Sequence, residues 1–273
     1  MNKGQIESQA IDAAIAGRWA EAIKLNKQLL ELNGADMPTL LRLAYAYLQS
    51  ASYKNARKMY KAVIEIQPSH PIANENIERI EVLEQRDSKP QSKKGGSSYN
   101  PSLFLEVPGK TKASVLVNLG QRDILALLNI GDELEMKLRK RKIEIRTKDS
   151  EYVGSLPDDL SKRLYVFIKA DSVYSCYIKE ISLSRVVVFI KEESKAKRVQ
   201  RYTSFPRNIQ SNLQAMQEGA EGNADAHSAA ETEDDDSSNN ELERLAENLG
   251  QEDKVEFFNV ERNDGEDEEN LSD

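Results

Sequence analysis

A self-similarity at a spacing of 34 residues near the N-terminus constrains this chain more than any other feature. Trp19 and Tyr53, Ala22 and Ala56, Leu29 and Val63, Leu30 and Ile64, and Gly34 and Pro68 each stand 34 apart. Aromatic falls on aromatic, alanine on alanine and turn-former on turn-former, and a period of this length means stacked supersecondary units. Within the better copy, 37–70, Leu40, Leu43, Ala44, Tyr47 and Leu48 recur at three and four residues, as do Ala56, Tyr60, Val63 and Ile64. Each set is one buried stripe of a helix. Ala51-Ser52 supplies the turn between them, Ala44 and Ala56 are small where two helix axes approach, and Pro68 ends the second helix because it lacks an amide hydrogen.

Leu43, Ala44, Tyr47, Ala51, Tyr53, Ala56, Tyr60 and Pro68 also fall at the signature spacing of the tetratricopeptide repeat, and the segment resembles that family. The preceding copy, about 3–36, keeps Ala10, Gly17, Trp19, Ala22, Leu29 and Leu30 but has Asn26 where an aromatic is usual. After Pro71, the residues Ile72, Ile77, Ile80 and Val82 read as a capping helix. The resemblance covers the first third of the chain and implies a scaffold that holds another protein, with its ligand along the groove made by the first helix of each repeat. Carried over by position, that groove is lined by Glu7, Ile11, Ile15, Leu41, Tyr45, Leu48, Glu75 and Arg79, and its centre is apolar. Family members that grip a chaperone's terminal carboxylate use a lysine and asparagine clamp, which Glu7, Ile11 and Arg42 do not reproduce. The alternative for Leu41, Tyr45 and Leu48 is burial in self-association, because two repeats and a cap fall short of the three or so that usually stand alone.

Charge divides the rest. Residues 1–100 carry 14 basic and 11 acidic side chains, 101–210 carry 21 and 14, and 211–273 carry 3 and 21, within a net charge of -8. This predicts an α+β, multidomain chain: a repeat domain at 1–86, a flexible Ser/Lys/Gly/Pro linker at 87–100, a small β-rich domain at 101–194, a basic segment at 195–210 and a disordered acidic tail at 211–273. Two apolar islands interrupt the tail, Leu242, Leu245 and Leu249 at helical spacing and the patch Val255, Phe257, Phe258 and Val260.

In the middle domain the period changes to alternation. Leu103, Leu105 and Val107 alternate, as do Leu134, Met136 and Leu138 and then Ile143 and Ile145, while 173–178 and 186–190 read as buried strands. Helices are expected near 122–128 and over 157–168, the latter opening with a proline and two aspartates. Several short strands with two helices predict a small, partly open barrel or curled sheet. The order of elements around Gly131-Asp132-Glu133-Leu134 and the turn Gly154-Ser155-Leu156-Pro157 resembles HIRAN-type small β-barrels, a family associated with single-stranded DNA ends.

Two basic clusters form a candidate nucleic-acid surface. Lys137, Arg139, Lys140, Arg141, Lys142, Arg146 and Lys148 sit on one predicted hairpin, with Glu133, Glu135, Glu144 and Asp149 interleaved. Lys195, Lys197, Arg198, Arg201 and Arg207 follow the last strand, with Tyr202 and Phe205 among them to stack on bases.

No catalytic constellation emerges. His70 and His227 are far apart, Cys176 is the lone cysteine and reads as a strand residue, and Gly109-Lys110-Thr111 lacks the first glycine of a phosphate loop, where Phe104 stands. No cofactor and no metal is expected. Without an apolar run of membrane-spanning length or an apolar leader, the expected location is the cytoplasm. The sequence therefore points to a non-enzymatic adaptor that holds a partner protein or peptide in the apolar groove. The alternative is a protein that binds single-stranded nucleic acid through the basic β-rich domain, with the acidic tail as an intramolecular competitor.

Overall fold

The computed structural model describes residues 2–34, 36–85, 101–139 and 142–206. The linker and tail expected at 87–100 and 211–273, together with Lys140, Arg141 and Arg207, lie outside the described residues.

Five helices open the chain: α1 (Lys3–Ile15), α2 (Trp19–Asn33), α3 (Met37–Gln49), α4 (Tyr53–Ile66) and α5 (Pro71–Gln85), each packed on the next. The 34-residue register holds in three dimensions. Trp19 and Tyr53 open α2 and α4, Ala22 and Ala56 are sealed between helices, and Leu29 and Val63 are buried further along the same faces. Gly17 and Ala51, also 34 apart, turn α1 into α2 and α3 into α4 with φ of 70° and 56°. That left-handed backbone is free for glycine and costs about 1 kcal/mol for alanine. Asn26, the departure from the aromatic pattern, is buried in place of the ring that Tyr60 supplies in the second copy. Its amide donates to the carbonyl of Ala22 at 2.8 Å and its oxygen accepts from Arg42 Nε at 3.2 Å. Two hydrogen bonds thus replace an apolar payload, and Arg42, which also pairs with Glu7 at 3.1 Å, is committed to them.

The second unit is a six-stranded antiparallel sheet built from β1 (Thr111–Val115), β2 (Glu133–Arg139), β3 (Lys142–Arg146), β4 (Tyr152–Ser155), β5 (Val173–Ile181) and β6 (Val186–Ser194), in the order β1-β6-β5-β2-β3-β4. The sheet curls until its edges meet. Beyond β1 the chain turns to β4, where Val117 and Ser155 exchange both backbone hydrogen bonds at 2.8 Å and Gly120 donates to Val153 at 2.9 Å. Glycine is required at Gly120, where a Cβ would lie 2.1 Å from the carbonyl oxygen of Tyr152; at Gly154 a Cβ would lie 3.1 Å from Leu116, tight but open to relief by a small shift. Inside are Leu134, Ile143, Ile145, Val153, Cys176, Ile178, Val188 and Ile190, the inward half of each alternation.

Two helices flank the sheet, α6 (Arg122–Leu127) and α7 (Asp158–Lys169). Leu164 and Ser161 of α7 face the barrel interior, and Phe167 and Val166 face outward under the segment that follows β6. That segment, 196–205, is not a free basic stretch. Val199, Tyr202 and Phe205 anchor it, Ala196 donates to Ser172 Oγ at 3.0 Å, Arg163 of α7 holds the carbonyls of Thr203 and Ser204, and Phe205 bridges back to Gly109. It is a strap running antiparallel to α7, and the barrel's packing extends past residue 194.

Alternation misleads at Leu103, Leu105 and Val107. Residues Pro101–Phe104 form a 3-10 turn and Leu105 and Val107 are exposed, because no neighbouring strand offers a ladder there; only Phe104 docks, edge-on to Phe189 at 5.7 Å. The first strand of the sheet lies instead at Thr111–Val115, paired with β6, where the sequence shows a glycine-lysine turn and little apolar content.

Candidate partner-binding surface

The side built by α1, α3 and α5 carries the residues that sequence assigns to a groove, and its two ends differ. At the α5 end, Arg79 is 7 % exposed. Its Nε donates to the carbonyl of Ala126 at 2.9 Å, and one Nη donates to the carbonyl of Leu128 at 2.6 Å and to Asn129 Oδ1 at 3.0 Å. These acceptors end α6, where unpaired carbonyls concentrate negative partial charge, so a guanidinium there both satisfies hydrogen bonds and meets the helix dipole. Burial pulls the Arg79 pKa below its ordinary value, while the nearby Tyr45, Tyr60 and Asp132 act against that pull; a guanidinium stays charged regardless. Gln49 of α3 reaches the same Asn129 at 2.9 Å. Leu48 is buried, and the apolar cluster that contains Leu40, Leu48, Tyr60 and Ile80 admits Ala126 from α6 and Leu183 from the β5–β6 turn. Leu41 packs partly against the same cluster. The barrel therefore sits on this end of the face, and Leu48 and Arg79 line an internal junction instead of an open groove.

The α1 end is partly open. Ile11 and Ile15, one turn apart on α1, are each 40 % exposed. Trp19 and Tyr45 meet edge to face at 5.9 Å and are both partly buried. Glu75 is exposed, and Glu7 is tied to Arg42.

Residues 13–74 match the family model of the tetratricopeptide repeat. The matched segment, from the end of α1 through α4, is tetratricopeptide repeat. No curated protein and no solved structure matches the chain. Tetratricopeptide repeats make a protein-interaction fold, and the match ends before the barrel, for which geometry is the only guide.

On the barrel, the described members of the first basic cluster are matched by nearby carboxylates. Lys137 pairs with Glu135 at 2.8 Å, Arg146 with Glu144 at 2.8 Å, Arg139 with Glu144 at 3.8 Å, Lys148 with Glu133 at 2.7 Å, and Lys142 stands 4.0 Å from Asp158. Interleaved acids in the sequence became cross-strand and neighbouring partners in the sheet. In the second cluster, Arg198 and Arg201 are exposed, but Tyr202 is only 4 % exposed and Phe205 is buried with it. Their rings are barrel core and leave no face for a base to stack on. The signal was present, since Val199, Tyr202 and Phe205 recur every three residues. Among the described residues, no helix is long and apolar enough to cross a membrane.

Proposed function

We propose that the chain is a non-catalytic adaptor, and that its tetratricopeptide repeats take a partner protein or peptide at the α1 end, on Ile11 and Ile15 with the exposed edges of Trp19 and Tyr45. One observation carries this reading: two isoleucines on one stripe remain open on a face whose other end the chain's own barrel has filled. Leaving two large apolar side chains half in water forfeits roughly 1 kcal/mol each, which a partner recovers by covering them. The barrel, fixed at the α5 end, then acts as a wall that sets how far along the face a ligand can run.

The test compares full-length wild type with an Ile11→Ser, Ile15→Ser variant in quantitative affinity purification from the native cell, with and without nuclease. The reading expects a partner that the variant loses, that nuclease leaves in place and that moderate salt does not release, with the helical circular dichroism intact. Recovery of the same proteins by the variant removes the reading. If the only change is from a dimer to a monomer in sedimentation, the patch serves self-association instead.

A further inference from the structure

Beside the paired hairpin, the barrel carries a second group of cations whose surroundings are different. The strap contributes Lys197, Arg198 and Arg201, all exposed, and no acidic residue occurs between 195 and 206. Because Ala196 is held at Ser172 and residues 203–204 are held at Arg163, the strap lies alongside α7 with opposite direction, adding the cations Lys162 and Lys169 of that helix to the same side of the barrel. Most nearby acids are engaged elsewhere or lie at the two ends of the ridge. Glu192 is buried against Lys195 at 3.3 Å and Ser204, Glu193 is held by Ser175 and by Lys191 at 3.1 Å, Asp158 and Asp159 lie one turn before Lys162 at the start of α7, and Asp171 follows its last turn. Lys162, Lys197 and Arg198 have no ion pair among the described residues.

We propose that this α7–strap ridge is a docking surface for the chain's own acidic C-terminal segment, in particular the run Glu231, Glu233, Asp234, Asp235 and Asp236. Residues 211–273 hold 21 acidic and 3 basic side chains and follow directly on the strap. The 12 residues of α7 span about 18 Å. The roughly 25 residues between Pro206 and the acidic run reach across that length several times over when extended. Attachment to the same chain also keeps the acidic run at high effective concentration, which exceeds what a free polyanion reaches in dilute solution. An exposed anion–cation contact of this kind is strong at low salt and weak beyond about 0.15 M, where the screening length falls to about 8 Å. The inference concerns the barrel and stands apart from the adaptor reading of α1.

The experiment uses the full chain with Ser237→Cys carrying a nitroxide spin label. Cys176 is sealed in β5, and burial pushes its thiol up to about 12, so labelling is confined to the new site. At low salt the label is expected to broaden amide signals of residues 162–169 and 196–201. That broadening should be lost at about 0.5 M salt. It should also be lost in a Lys197→Glu, Arg198→Glu, Arg201→Glu variant and in one whose five acids at 231–236 become Gln or Asn, with circular dichroism unchanged in both. Broadening that is absent at low salt, that survives the charge reversals, or that falls on α1 and α3 overturns the proposal. So does a single-stranded oligonucleotide that shifts the ridge amides as strongly in the native chain as in the one with neutralised acids, since the ridge would then be open to outside polyanions.

Discussion

The two ends of the tetratricopeptide face start from the same helix geometry and finish with opposite surroundings. At the α5 end a cation is buried and held by oxygen acceptors of the barrel; at the α1 end two isoleucines are 40 % exposed. The difference shows that repeat position alone does not decide what is groove and what is core. Position sets which way a side chain points, and a third element decides whether anything lies there. At the α5 end that element is α6, which presents the carbonyls of its last turn, and only a strong donor such as arginine makes burying them favourable.

Arg79→Ala is the strongest test of the closed end. Removing the guanidinium strips donors from Ala126, Leu128 and Asn129 at once; with charged hydrogen bonds worth about 1.5 to 3 kcal/mol each and water partly replacing them, the expected loss is about 3 kcal/mol. Urea unfolding should show it as a lower midpoint. Amide exchange should speed up across 122–127 and stay unchanged in α1. If α6 keeps its protection, the junction is held by its apolar contacts, and the contrast between the ends becomes one of area alone.

Gly120→Ala approaches the same end from the barrel. Gly120 sits at the seam just before α6, so a Cβ that meets the Tyr152 carbonyl must open the seam and shift the helix that fills the groove. The expected cost is about 2 kcal/mol, the usual scale of overpacking, read in the same unfolding curves. A loss of barrel stability with full protection retained in α5 would show that the repeats fold without help from the docked wall.

How much of this could be read from the sequence follows from the range of the interactions. The repeats were legible because their contacts lie 34 residues apart and repeat, and Asn26 was visible as an exception although its partner Arg42 was not. The interleaved charges of the hairpin became ion pairs within one sheet, again at short range. Arg79 lies on the side built by α1, α3 and α5, but two of its acceptors are main-chain carbonyls 47 and 49 residues away, and a carbonyl leaves no mark in a sequence. In the sequence the strap looks like a basic segment because charge outnumbers its three apolar anchors, whose burial depends on α7 offering Val166 and Phe167 as a floor. Leu105 and Val107 show the reverse failure, a correct pattern with no neighbour to pair.

At the open end, the Ile11→Ser, Ile15→Ser variant tests stability as well as binding. Both side chains are already 40 % exposed, so the lost burial is partial and the expected change is about 1 kcal/mol for each, detected as a shift in thermal midpoint. A loss well above that of Arg79→Ala would mean that the α1 end is core, and the two ends would cease to differ.

The smallest effect is expected from Arg122→Ala, which stands at the same junction as Arg79 and has the more highly charged acceptor. Arg122 meets Glu78 of α5 at 3.4 Å, with the two side chains 63 % and 62 % exposed. By Coulomb's law a carboxylate outranks a carbonyl, but the interaction of two charges drops about fourfold between an effective dielectric of 20 and that of water, and holding two long side chains in place costs entropy besides. Solvent therefore decides the order: below about 0.5 kcal/mol for Arg122→Ala against about 3 for Arg79→Ala. Unfolding midpoints of the two variants at low and high salt separate the causes, since the Arg122 effect should vanish with salt and the Arg79 effect should persist. Equal costs would mean that the barrel is held to the repeats by long-range charge, and that the buried guanidinium is incidental to the joint it occupies.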